Sequence, residues 1–294
     1  MTSTADTAAS QIARRAYETL EPFHVLAYFN PGLGAAQEDT GLDPHGFYVG
    51  ARAAPMGECH PALVTSAFYN FAPDLIATAW SAAREVGLDR VAARRNQMLD
   101  EQLRAILAER VEDPEVVELA QRYHAMAESV PFGGRPLAAA WAADASPEEP
   151  HLALWHAIAI LREWRGDNHI AALVHHGLDG LDAVAFHEAQ IDDPTIRRRV
   201  LGRKLVQLTR GWSDDAWDAS VERLVARGLA AGDGSGHRLT DAGLDLYQVV
   251  EDETDAITGQ AWSGSGVDDL LTRMRPYVKA VIDAGVLPGT RKKD

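Results

Sequence analysis

The chain has 294 residues, 46% of them apolar and 24% charged, with a formal net charge of −15 and a sequence pI near 5.1. That length suits one large domain or two small ones, and the composition is that of an ordinary globular protein. No apolar stretch reaches the roughly 18 residues of a membrane span, the opening MTSTADTAAS has no basic region followed by an apolar run, and the single Cys59 excludes an internal disulfide, so a cytoplasmic protein is expected.

Nearly every segment reads as helix. Ala8 to Phe29 gathers Ile12, Tyr17, Leu20, Phe23, His24 and Ala27 on one broad face, with Pro22 bending it. Asn30 to Gly57, rich in Gly and Pro, reads as a long irregular connection. Pro61 opens two apolar helices broken at Ala72-Pro73, Gly87 to Ala108 is amphipathic, and Pro114 starts a helix reaching about Ser129. Val130 to Pro136 is the expected domain boundary. Ser146-Pro147-Glu148-Glu149 then reads as a capped helix start, running to Trp164 and stopping near Gly166. Short helices around Asn168–His176 and Leu178–Glu188 follow, then a basic helix from Pro194. A long helix from Thr240 to about Ile257, a small-residue linker and a last helix from Val267 to Ala284 end the chain. The expected domains are residues 1–130, 137–192, 193–258 and 267–294.

The most specific stretch is Leu201 to Thr240. A helix to Arg210 leads through Gly211-Trp212-Ser213 into a second, N-capped by Ser213 and carrying Val221, Leu224 and Val225 at helical spacing. Gly228 closes that helix, Asp233-Gly234-Ser235-Gly236 supplies a hairpin tip, and Leu239-Thr240 starts the next element. This is the pattern of a winged helix, so the expected fold class is mainly α with a C-terminal winged helix-turn-helix and one small β-hairpin. Such modules usually dock their second helix in a DNA groove. Here that helix opens with Asp214, Asp215 and Asp218, which phosphates repel, although a helix N-terminus favours acids in any case. The charge is unevenly placed: Pro194 to Thr240 holds nine basic residues against five acidic ones.

The segment DASVERLVARGLAAGDGSGHRLTDAGLDLYQVV resembles the winged helix of MarR-type regulators, with Leu239-Thr240-Asp241-Ala242-Gly243 as its L-T-x-x-G start of the following helix. The whole chain is similar to a little-characterised actinobacterial helix-turn-helix family. The likeness rests on the loop Gly50-Ala51-Arg52-Ala53-Ala54-Pro55-Met56-Gly57, on Ala67-Phe68-Tyr69-Asn70-Phe71, and on LWHAIAILREWRGDNHIAALVHHGLDGLDA. The resemblance implies fold and grouping rather than a particular chemistry.

Two constellations suggest a ligand site. In Arg162 to His169, Arg165 is suited to grip a carboxylate or phosphate, His169 to titrate near neutrality and Asp167 to orient either; capping of helix ends accounts equally for these residues. In Phe47 to Gly57, small residues around Arg52 allow close approach of an anionic ligand beside Phe47, Tyr48, Phe68 and Tyr69, and they equally suit a loop packed under a helix. Six histidines between His151 and His187 show no spacing for a metal, and no catalytic residue or cofactor is singled out.

The expected function is a ligand-responsive winged-helix transcriptional regulator, acting as a homodimer on DNA with an anionic or aromatic small molecule as effector. Arg197, Arg198, Arg199, Arg203, Lys204, Arg210 and Arg238 would meet phosphates, and Ser220 and Arg223 base edges. The ligand would lie among Arg52, Phe47, Tyr48, Phe68, Tyr69, Trp164, Arg165 and His169. The alternative is a small-molecule-binding protein or enzyme built on Arg52, Trp164, Arg165 and His169, keeping the winged helix as scaffold. A third reading is an interaction module whose acidic helix meets a basic protein.

Overall fold

The structure, a computed structural model, describes residues 4–291 except 197, 199, 234 and 265, with side chains from residue 8 onward. It is mainly α-helical with one small hairpin. In chain order come α1 (Thr4–His24), α2 (Leu33–Thr40), α3 (Pro44–Ala53), α4 (Pro61–Phe68), α5 (Pro73–Val86), α6 (Leu88–Leu107) and α7 (Pro114–Glu128). Next are α8 (Pro136–Ala143), the long α9 (Pro150–His175), α10 (Gly180–Glu188), α11 (Arg203–Arg210) and α12 (Asp214–Ala226). Strands β1 (Ala230–Asp233) and β2 (Gly236–Leu239) precede α13 (Asp241–Thr258) and α14 (Val267–Asp283). No helix among the described residues is long and apolar enough to cross a membrane.

Two compact units divide the chain, and neither is continuous. The first comprises Met1–Glu58, Ser81–Asn168 and Asp255–Asp294; the second comprises Cys59–Trp80 and His169–Thr254. The Pro- and Gly-rich stretch Val130–Pro136 lies inside the first unit, as the link from α7 to α8. Asn30 to Gly57, expected to be irregular, holds α2 and α3. Asp43 accepts the backbone N–H of Gly46 while Pro44 occupies the first helical turn, a cap-and-proline signal that outweighs the glycines around it.

The first unit is built around Phe23, Leu26, Phe47, Met98, Tyr123, Trp141, Trp155 and Trp164, all essentially buried. Its α9 does not stop near Gly166. Leu154 to Leu161 and Trp164 are buried ahead of the glycine, and Ala172 and Leu173 beyond it. A single glycine costs a helix only about 1 kcal/mol, less than burying such side chains returns. The same helix starts at Pro150 rather than at Pro147.

The second unit has its own core, with Leu178, Leu181, Phe186 and their neighbours meeting Val206, Trp217, Val221, Leu224 and Val250. Its helix-turn-helix is α11, the turn at Gly211 to Ser213, and α12. Ser213 accepts the N–H of Ala216 as N-cap, as expected. Among the described residues, the basic stretch from Pro194 holds no helix before Arg203. Gly228, at φ 72°, lets the chain turn back after α12, so that the Leu229 N–H reaches the Leu224 carbonyl. The hairpin pairs Ala230 with Leu239 and Asp233 with Gly236, and Gln190 joins β2 by exchanging backbone hydrogen bonds with His237 and Leu239.

Thr240 caps α13 by accepting the N–H of Gly243, and its own hydroxyl donates to the Gly228 carbonyl. Gly243 is required by contact: a Cβ there would overlap the Leu229 carbonyl, which is itself bound to the Thr240 N–H. Glycine-to-alanine changes inside helices usually gain about 0.5–1 kcal/mol. Gly243→Ala will instead lower stability by about 1–3 kcal/mol, measured by urea unfolding of the full chain; a stabilised variant would refute this account of the glycine.

Candidate functional site

The positive residues of the winged-helix module are mostly engaged within the second unit. Arg203, at the start of α11, donates to Asp218 at 2.7 Å and pairs with Asp214, to which Gln207 also donates at 3.0 Å. The guanidinium of Arg198 donates to the carbonyls of His187 and Ala189 and stands over the Tyr247 ring. Arg210 stacks over Phe71 at 4.3 Å. Arg227 donates to the carbonyls of Gly177 and His176 at 2.6 and 2.7 Å. Lys204 and Arg238 are exposed, and among the described residues neither joins an ion pair. Arg197 and Arg199 lie outside the described residues.

Two side chains expected at base edges face a different task. Ser220 is fully buried, and its hydroxyl donates to Asp182 of α10 at 2.6 Å. Arg223 makes a two-pronged contact with the same carboxylate. The reason is packing: α12 turns Trp217, Ser220, Val221 and Leu224 toward the core, and Asp182, itself buried, must be paired there. Ser220 therefore has no access to DNA. The groove between α12 and the hairpin, about 610 Å³, carries Asp218, Glu222 and Asp233 against Arg203.

The first unit contains a buried polar cluster. Glu163, 1% exposed, accepts from Arg52 Nε at 2.8 Å and Nη2 at 2.6 Å, while Arg52 Nη1 lies 3.4 Å from the Tyr48 hydroxyl. Burial alone would raise the Glu163 carboxyl, but the Arg52 guanidinium holds it down at about 2. Arg162 makes a parallel pair with Glu21. Between the pairs sits His24, stacked on Trp155 with its ring edge toward Tyr28, which in turn meets Tyr48. Neither His24 nitrogen nor the Tyr28 hydroxyl has a hydrogen-bond partner, and burial pushes the imidazole down to about 4.

The expected ligand residues thus separate by role. Arg52 and Tyr48 join this cluster, yet Arg52 already has a carboxylate across its fork, so it is not placed to seize an anionic ligand. Phe47 is core. Trp164 donates to the Pro131 carbonyl at 2.9 Å, and Arg165 pairs with Asp255 and covers Tyr17. Asp167, mid-helix rather than at a helix start, accepts the N–H groups of Leu137 and Ala138 and so caps α8 from outside; burial lifts its carboxyl to about 6. In the second unit His169 meets Thr254 at 3.0 Å, Phe68 packs on Phe71, and the Tyr69 hydroxyl donates to the Leu178 carbonyl. The sequence reading missed Glu21, His24, Tyr28 and Glu163. The available signal was the position of Glu163 three and four residues after Ile160 and Ala159, which puts a charge on an apolar helix face where it demands a partner.

Because the folded pKa of His24 lies below its ordinary 6.5, the unfolded chain takes up the proton first on acidification. Its contribution is intact above about pH 6.5 and is lost as pH falls toward about 4; Asp167, with a raised folded value, acts in the opposite sense. His24→Gln will therefore flatten the loss of stability between about pH 7 and about pH 5 by about 1–2 kcal/mol, read from urea melts; an unchanged slope would contradict a neutral buried His24.

No curated protein and no solved structure matches the chain. The sequence profile of a helix-turn-helix family matches residues 13–288, through both units and the whole α11–α12–hairpin module. The protein belongs to that helix-turn-helix family, an affiliation that suggests a DNA-binding regulator.

Proposed function

We propose that the protein is a ligand-responsive winged-helix regulator that binds DNA as a homodimer in the manner of MarR-type proteins. One observation carries the reading: a capped helix-turn-helix and hairpin keep Lys204 on α11 and Arg238 on the wing exposed. These two residues are the proposed phosphate contacts, with Arg203 recruited when a phosphate displaces Asp214 and Asp218. That exchange makes Arg203 a charge held in reserve. A dimer follows from the way such modules read two half-sites.

The exchange has a distinctive signature. In fluorescence anisotropy at low salt, with a duplex from the DNA upstream of the protein's own gene, Asp214→Asn combined with Asp218→Asn will tighten binding by about threefold to tenfold, since removing the two repulsions together is worth about 1 kcal/mol. Lys204→Ala and Arg238→Ala will each lower the salt slope by about one. No binding at micromolar protein would overturn the reading. The second reading, a small-molecule binder with the winged helix as scaffold, is favoured by the internal engagement of Arg198, Arg203, Arg210, Arg223 and Arg227 and would then stand.

A further inference from the structure

The first unit holds a cleft of about 790 Å³ between α7, α8 and the start of α9. Its walls are apolar, with Val117 and Ala120 on α7, Phe132 after it, and Ala153 and Ile160 on α9. Its rim is acidic: Glu128, Asp144 and Glu148 line it, and no Lys or Arg does among the described residues. None of the residues expected to bind a ligand belongs to it.

A buried polar group lies against the floor. His156 falls between Ala153 and Ile160 on the same face of α9, three residues after one and four before the other. Its ring centroid is 5.5 Å from that of His124, which lines the cleft and whose Nε2 is 3.1 Å from the Ser146 hydroxyl. His156 is 2% exposed, and neither ring nitrogen has a hydrogen-bond partner. The Trp141 backbone lies near enough to favour the charged ring but stands outside hydrogen-bonding geometry. Burial keeps the imidazole neutral, its pKa pushed down to about 4, so it retains one donor and one acceptor beside the lining residues Ala153, Ile160 and His124. A buried polar side chain without a partner is costly unless something fills the place beside it.

We infer that this cleft binds a small, largely apolar molecule carrying a positively charged amino group, its apolar part against Ala120, Phe132 and Ile160 and its ammonium among Glu128, Asp144 and Glu148. The buried Arg95, over the Trp141 ring, interacts with Asp144 and offsets part of its charge, so Glu128 and Glu148 carry most of the attraction for the ammonium. Such a ligand is a cation, whereas the sequence led to the expectation of an anionic or aromatic effector. It rests on the regulator reading only for the ligand's regulatory meaning.

The test is isothermal titration calorimetry on the full chain, without DNA, using naphthylmethylammonium, naphthylmethanol and naphthoate. The ammonium will bind about tenfold tighter than the alcohol, and naphthoate weakest. Glu128→Gln with Glu148→Gln, both exposed positions, will weaken the ammonium about fivefold and leave the alcohol unchanged. Ala153→Phe, checked by its thermal melt for retained folding, will remove binding of all three by filling the cleft. Equal affinities, a preference for naphthoate, no binding of any probe, or ammonium binding indifferent to these variants would overturn the assignment. Because DNA is absent, failure here leaves the regulator reading untouched, and a failed DNA titration leaves this one untouched.

Discussion

Glu163 is buried on α9 just after the apolar run of residues 157–161, and an isolated carboxylate in that setting costs several kcal/mol, so the first unit has to bring a cation to it. Arg52 answers with two hydrogen bonds from α3, a helix 111 residues earlier in the chain. That pairing fixes α3 against α9, and the Arg52 carbonyl receives the Trp141 indole N–H, tying in α8 as well. Asp167, one turn further along α9, caps the start of α8. One helix thus places its neighbours through two carboxylates, and the tryptophans pack into the frame these contacts set. Replacing only one partner of such a pair is far more damaging than its modest net contribution suggests, because the other charge stays buried.

The second unit applies the same rule at Asp182. That buried carboxylate draws Ser220 and Arg223 of α12 inward, and Asp214 and Asp218 hold Arg203 beside the same helix. A helix that elsewhere would offer its polar side chains outward here uses them to dock on α10. The surface left to an approaching polyanion is consequently narrow, and its strength depends on competition between phosphates and fixed carboxylates. With so few contacts on offer, the DNA binding proposed above would depend only shallowly on ionic strength.

Local signals carried the sequence reading a long way in the second unit. Ser213, Gly228 and Leu239-Thr240-x-x-Gly243 each act through backbone hydrogen bonds within a few residues, so their meaning is written next to them. The α2–α3 region was less legible because glycines and prolines masked a sound cap at Asp43-Pro44. The continuity of α9 through Gly166 was hidden because packing, not propensity, decides it. Least legible was the candidate site. That Arg52 meets Glu163, that Arg165 meets Asp255 90 residues away, and that His124 lies beside His156 are consequences of tertiary approach. Sequence spacing holds no record of them, and it showed which residues were chemically capable without showing which were already engaged.

The interleaving of the two units bears on how the polypeptide is made. The winged-helix unit takes its first strip of chain from Cys59–Trp80, whereas the other unit is completed only by Asp255–Asp294. During synthesis neither can close before most of the polypeptide has left the ribosome, and segments far apart in order must find each other late. Excising the wing and its flanking helices as one continuous fragment would strip away Phe68, Phe71 and Trp80. The helix-turn-helix portion is therefore not an appendage that evolution can readily shuffle onto another scaffold, but a product of the whole chain.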